Sequence, residues 1–175
     1  MSKLLQILPI GAPDPELTEW LRAQLAEGFD VYAEVLETSL DPAFAFHPER
    51  GQYHSSEILA RMTPFVTRKT WRLLALSEVD LYIPILTFVF GEAQIGGPSA
   101  VVSYHRLRQE FYGLPEDRDL LARRLLTESI HELGHTLDLV HCSDYRCVMA
   151  SSHSVEWIDI KEFSFCPDCA VRANR

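Results

Sequence analysis

The sequence predicts an α/β (α+β) domain in which a sheet is layered with helices. Three observations lead there. A strand pattern, an amphipathic helix pattern and a second strand pattern follow one another within the first 36 residues. Further short apolar runs occupy residues 71–104. A long helix with a one-sided apolar stripe comes next, ahead of a tail that holds all four cysteines. The 175 residues are enough for one domain and too few for two ordinary ones. An apolar share of 47% against 23% charged is that of a globular chain with a sizeable core.

The elements follow in order. Residues 4–10 read as a buried strand, ended by Gly11, Ala12 and Pro13. Asp14-Pro15-Glu16 opens a helix with a capping acid, proline at the first helical position and another acid in the first turn. Leu17, Trp20, Leu21 and Leu25 then share one face, and Gly28 supplies the stop. Residues 29–36 are expected as a second strand, 41–51 as loop and 55–65 as a short helix. Strands are expected at 71–76, 86–90 and 100–104, with Gly91, Gly96, Gly97 and Pro98 as turn material between the last two. Leu114-Pro115-Glu116-Asp117 opens the long helix, whose stripe of Leu126, Ile130, Leu133 and Leu137 packs on the sheet.

Charge narrows the partners. A formal net charge of −9 opposes non-specific nucleic-acid binding, which depends on Lys and Arg at phosphates. Arg118, Arg123 and Arg124 are interleaved with Glu116, Asp117, Asp119 and Glu128, which reads as a mixed, solvated helix face. No run reaches the ~18 apolar residues of a membrane span, and the leading segment lacks a signal-peptide pattern. A cytoplasmic monomer with no nucleic-acid or membrane partner is expected.

The chemistry lies on the long helix, at His131-Glu132-Leu133-Gly134-His135. Histidines four apart fall within roughly 40° of each other on a helix, here away from the apolar stripe. They can share one zinc ion, and Glu132 beside them can take a proton from water that the metal acidifies. His141 follows six residues after His135. On a continuous helix it would stand about 15 Å from His131, too far for the same ion. It becomes a third ligand only if the chain turns back near Asp138. A rival third ligand is a later glutamate, Glu156 or Glu162. Cys142, Cys147, Cys166 and Cys169 suit a closed tetrahedral zinc site, which a reducing compartment favours over disulfides.

The run His-Glu-x-x-His-x-x-Asp-x-x-His, followed by Cys142, Cys147, Met149 and the Cys166-Pro167-Asp168-Cys169 pair, resembles the archaemetzincins, of the metzincin clan of zinc peptidases. The likeness is strong over residues 131–169 and looser over 79–104. It implies a mixed five-stranded twisted sheet with an antiparallel edge strand, packed on the active-site helix, and a small irregular C-terminal part stapled by zinc. The division falls at residues 1–137 and 138–175 of a single metallopeptidase domain. It implies two zinc ions, one catalytic on His131, His135 and His141, one structural on the four cysteines. It also implies a packing role for Met149 beneath the histidines, and a peptide or protein substrate lying along residues 86–91. Asp138 stands where the family has glycine, so it is expected to adopt positive φ, which aspartate tolerates better than most residues. Ser151 stands where some metzincins place a tyrosine. His153, His47, His54 and His105 receive no role. Two classes of function follow: a zinc peptidase, favoured by Glu132, and a non-catalytic zinc-bearing module that binds peptides or proteins.

Overall fold

The structure, a computed structural model, describes residues 3–174. Strand β1 (Leu4–Ile10) leads into helix α1 (Pro15–Phe29) and strand β2 (Tyr32–Val35). Asp14 caps α1 by accepting from the Leu17 amide at 3.0 Å. The helix runs past Gly28 and stops at Asp30, which takes φ 51° and returns its amide to Ala26 and Glu27. Leu17, Leu21 and Leu25 are buried as expected, whereas Trp20 lies at the surface. Strand β2 is shorter than predicted because α1 consumes its first residue and residues 30–31 form the turn.

Residues 41–51, expected as loop, hold a 3-10 turn (Pro42–Ala45) and strand β3 (Phe46–His47). Strand β4 (Gln52–His54) and helix α2 (Ser55–Arg61) follow, with a 3-10 turn at Thr63–Phe65. Strands β5 (Thr70–Ser77), β6 (Leu81–Tyr82), β7 (Gly91–Ala93) and β8 (Ser99–Ser103) complete the β structure. Five strands form a mixed sheet in the order β2-β1-β5-β8-β7, parallel throughout except for β7, the antiparallel edge. A second sheet, β3-β4-β6, is small and was not foreseen, since strands of two or three residues carry too little alternation to be read.

The expected fourth strand moves. Residues 86–90 are irregular wall and the edge strand starts at Gly91. Arg50 donates to the Leu86 carbonyl at 2.7 Å and Gln52 to the Thr87 carbonyl at 2.9 Å, so side chains take acceptors that a ladder would use.

Alternation along the parallel strands divides the core. Leu5, Ile7, Leu74, Leu76, Ala100 and Val102 face α1 and the long helix α3 (Arg118–Thr136). Leu8, Ile10, Leu73, Ala75 and Val101 face α2. Asp117 caps α3 by accepting from the Leu120 amide at 2.9 Å. From Arg124 onward most residues of α3 are buried, because the sheet covers one side and the C-terminal segment another. The supposed solvated face is therefore half wrong: Arg124 is buried and grips Asp159 with two 2.7 Å hydrogen bonds, and Glu128 is buried too. The C-terminal segment carries two short helices, α4 (Val155–Asp159) and α5 (Pro167–Ala173). None of the described helices is long and apolar enough to cross a membrane.

Candidate active site

The last turn of α3 creates the site. Asp138 takes φ 66°, its amide donates to the His135 carbonyl, and the Leu139 amide donates to Gly134. These two bonds across a left-handed residue are the Schellman arrangement, which ends a helix and reverses its chain. Leu139 buries itself against the core. His141 is thereby carried back, with its ring 5.3 Å from that of His131 and 5.1 Å from that of His135. From the strands, Arg72 of β5 donates to the Thr136 hydroxyl at 2.8 Å and to its carbonyl at 3.0 Å, holding the carbonyl end of α3 with a cation. Gly96 donates its amide to the His135 carbonyl at 3.0 Å.

Tautomers follow from the partners. His131 Nδ1 lies 2.8 Å from the Val148 carbonyl, and His135 Nδ1 lies 2.7 Å from the Leu139 carbonyl. A carbonyl only accepts, so both Nδ1 atoms carry hydrogen and both Nε2 atoms carry lone pairs. Those two Nε2 atoms face each other at 3.1 Å. Two lone pairs at that distance repel unless a cation lies between them. Tetrahedral zinc with nitrogens at 2.0–2.1 Å sets neighbouring nitrogens about 3.3 Å apart, so the donor set fits zinc. One ligand atom from each of the three histidines lies within 4.8 Å of the others. Burial pushes each imidazole below its ordinary value, which keeps it neutral and ready to bind. Glu156 and Glu162, the rival ligands, are exposed and lie outside this cluster.

The four cysteines form the second cluster able to hold a metal ion. Sγ of Cys142 is 3.8 Å from Sγ of Cys166, the separation that zinc–thiolate bonds of ~2.3 Å produce and nearly twice a disulfide bond. All four are free thiols. Burial raises the Cys147 and Cys169 thiols, while the Cys169 amide lowers that of Cys166. The Cys142 amide donates to the Met149 carbonyl at 2.9 Å, so the cysteine cluster and the turn beneath the histidines are joined. Met149 is fully buried with its sulfur against Gly134, where any Cβ would come within 2.3 Å of it.

A cleft of about 600 Å³ opens over the histidines. The wall residues 86–90 and strand β7 form one side, and Ser151, Ser152 and His153 another. Glu132 also lines it, only 5% exposed. Burial, with Glu128 and Glu92 nearby, raises its carboxyl well above the ordinary value. Glu92 points elsewhere, accepting from the Ser55 and Ser56 hydroxyls.

Two residues of the site, Glu128 and Lys161, escape the sequence, and a third, Gly91, has a role there beyond ending the expected substrate-pairing segment. In β7 it faces Glu132: a Cβ there would lie 2.7 Å from Glu132 Cγ and 2.6 Å from the Val101 carbonyl. The signal was a glycine next to an apolar run, which also marks close backbone approach. Glu128 and Lys161 form a buried pair behind His131, at 3.6 Å. Their spacing of 33 residues leaves no local signal.

Residues 58–175 match the model of peptidase family M54. An archaemetzincin of Methanocaldococcus jannaschii is 41% identical over 163 residues, covering 93% of this chain and 88% of its own. The crystal structure of archaemetzincin from Archaeoglobus fulgidus complexed with malonate superposes with a TM-score of 0.84 at 35% identity, covering 97% of this chain and 99% of that one. A zinc-dependent peptidase from Methanocorpusculum labreanum superposes with a TM-score of 0.87 at 26% identity, covering 97% and 100%. Matched by that family's model from residue 58 to its end, and by archaemetzincins over nearly all of its length, the chain belongs to peptidase family M54, the archaemetzincins.

Proposed function

We propose that this chain is a zinc metallopeptidase in which His131, His135 and His141 hold the catalytic ion and Glu132 is the general base. The observation that carries the reading is the pair of Nε2 lone pairs facing each other at 3.1 Å, beside a buried carboxyl in an open cleft. When bound, zinc supplies a Lewis acid and an acidified water. Glu132 takes the proton of the attacking water and delivers it to the leaving amine. The cysteine cluster holds a second, structural zinc, and in a reducing compartment its thiols stay available for that role.

Strand β7 supplies the binding surface. Phe90 accepts from the Ser103 amide and the Gln94 amide donates to Ser99, so residues 90, 92 and 94 turn their main-chain groups toward β8. By alternation, Gly91 and Ala93 turn theirs to the open edge. A peptide substrate pairs there as an added strand, its scissile carbonyl over the histidines. This replaces residues 86–91 as the expected pairing segment.

The test is cleavage of a mixed peptide library, abolished by chelation, with Glu132→Ala as the decisive variant. The variant is expected to keep full zinc and lose hydrolysis. Undiminished turnover would remove Glu132 from the mechanism, and a wild-type protein that binds zinc and peptides without cleaving them would be the binding module instead.

A further inference from the structure

We infer that Lys161 is a positioning residue of the metal centre, acting on His131 through the carbonyl of Val148. The side chain of Lys161 is wholly buried. Its Nζ donates to the Val148 carbonyl at 3.3 Å and stands 3.6 Å from Oε1 of Glu128. The same carbonyl accepts from His131 Nδ1 at 2.8 Å. Carbonyl oxygen has two lone pairs, so it serves both donors at once, and the ammonium fixes the direction from which the imidazole is held.

Glu128 completes the clamp. It lies on α3 one turn before Glu132, is 3% exposed, and its Oε1 has no hydrogen-bond partner among the described residues. The ammonium is thus lodged between a carboxylate of the helix and a carbonyl of the chain that crosses beneath the histidines. Burying such a pair is often no better for stability than filling the same space with apolar side chains. What an apolar replacement lacks is a donor for Val148. Lys161 lies two residues past the end of α4, its amide donating to the Ile158 carbonyl, so the clamp ties the C-terminal segment to the ring orientation of His131. Groups that orient a ligating imidazole through its other nitrogen typically change metal affinity by ~10–100-fold when removed.

The inference rests on His131 being a zinc ligand, and the experiment separates the two. The histidine site is emptied with a chelator and refilled with zinc or cobalt(II), in the wild type, in Lys161→Met and in the double variant Glu128→Gln with Lys161→Met. The double variant removes both charges together, so no unpaired buried charge remains to unfold it. It is expected to bind zinc ~10–100-fold more weakly than the wild type and to show an altered cobalt d–d spectrum. Wild-type affinity and spectrum in a folded double variant would overturn the positioning role and leave only a buried ion pair. An independent arm needs no variant. In wild-type protein with labelled lysine and histidine, the Lys161 ammonium protons must exchange slowly and show through-space contact to the His131 Nδ1 proton. Absence of that contact overturns the clamp. A wild type that takes up no cobalt at the histidines while showing the contact refutes the ligand assignment, not the clamp.

Discussion

Gly91→Ala adds one methyl group at the place where the edge strand meets the general base. The new Cβ would lie 2.7 Å from Cγ and 2.9 Å from Oε1 of Glu132, and 2.6 Å from the carbonyl of Val101. Val101 belongs to the buried strand β8 and cannot retreat. Restoring contacts of ~3.4 Å therefore moves strand β7 away from Val101 by about 0.8 Å, and the Glu132 side chain must give by about 0.7 Å as well. Overpacking of this kind destabilises by ~1–3 kcal/mol. A misplacement near 1 Å at the reacting centre lowers turnover by up to ~100-fold. The three atoms nearest the new methyl group belong to Val101 and Glu132 and not to the histidines, so zinc content is expected to stay at the wild-type level. The assay is kcat/KM on a peptide cleaved by the wild type, with metal analysis and a thermal melt on the same preparation. Turnover within twofold of wild type, in folded and zinc-loaded protein, would show that Glu132 is not held against β7 as described.

Three further outcomes are expected. Asp138→Gly relieves a left-handed residue whose side chain makes no hydrogen bond among the described residues. It should keep zinc and gain roughly 1 kcal/mol in a denaturant melt, and loss of zinc would reveal a second task for the carboxylate. Cys166→Ser with Cys169→Ser should weaken the histidine site as well, because Cys142 adjoins His141 and its amide holds Met149. Metal analysis finding one tightly bound ion and full activity would reject that coupling. Acidification tests the electrostatics. The three imidazoles are depressed by burial, so their neutral forms persist below the ordinary value of 6.5 and protons compete with zinc only at lower pH. Zinc release with a midpoint above pH 6.5 would contradict the burial of the site.

The corrections have a common origin. Gly28 was a plausible stop for α1, but Asp30 ends the helix because its own amide finds Ala26 and Glu27 from a left-handed conformation. Residues 86–90 read as a mostly apolar strand, yet Arg50 and Gln52, from the turn before β4 and from β4 itself, take the carbonyls of Leu86 and Thr87. Arg124 and Glu128 read as solvated charges, and only the arrival of Asp159 and Lys161 from the C-terminal segment buries them in pairs.

What sequence alone determined is whatever depends on neighbours along the chain. Histidines four apart share a helix face because the backbone repeats every 3.6 residues, and Asp14 and Asp117 cap their helices through amides three residues on. The positive φ of Asp138 is a local turn too, but it was expected from the glycine that the family has at that place. Tertiary structure decided where the reversed chain puts His141, which carbonyl the His131 imidazole grips, and which backbone Glu132 rests against. Those outcomes depend on Val148, Lys161 and Gly91, residues brought near by packing of the sheet and the C-terminal segment, and packing leaves no period in the sequence to be read.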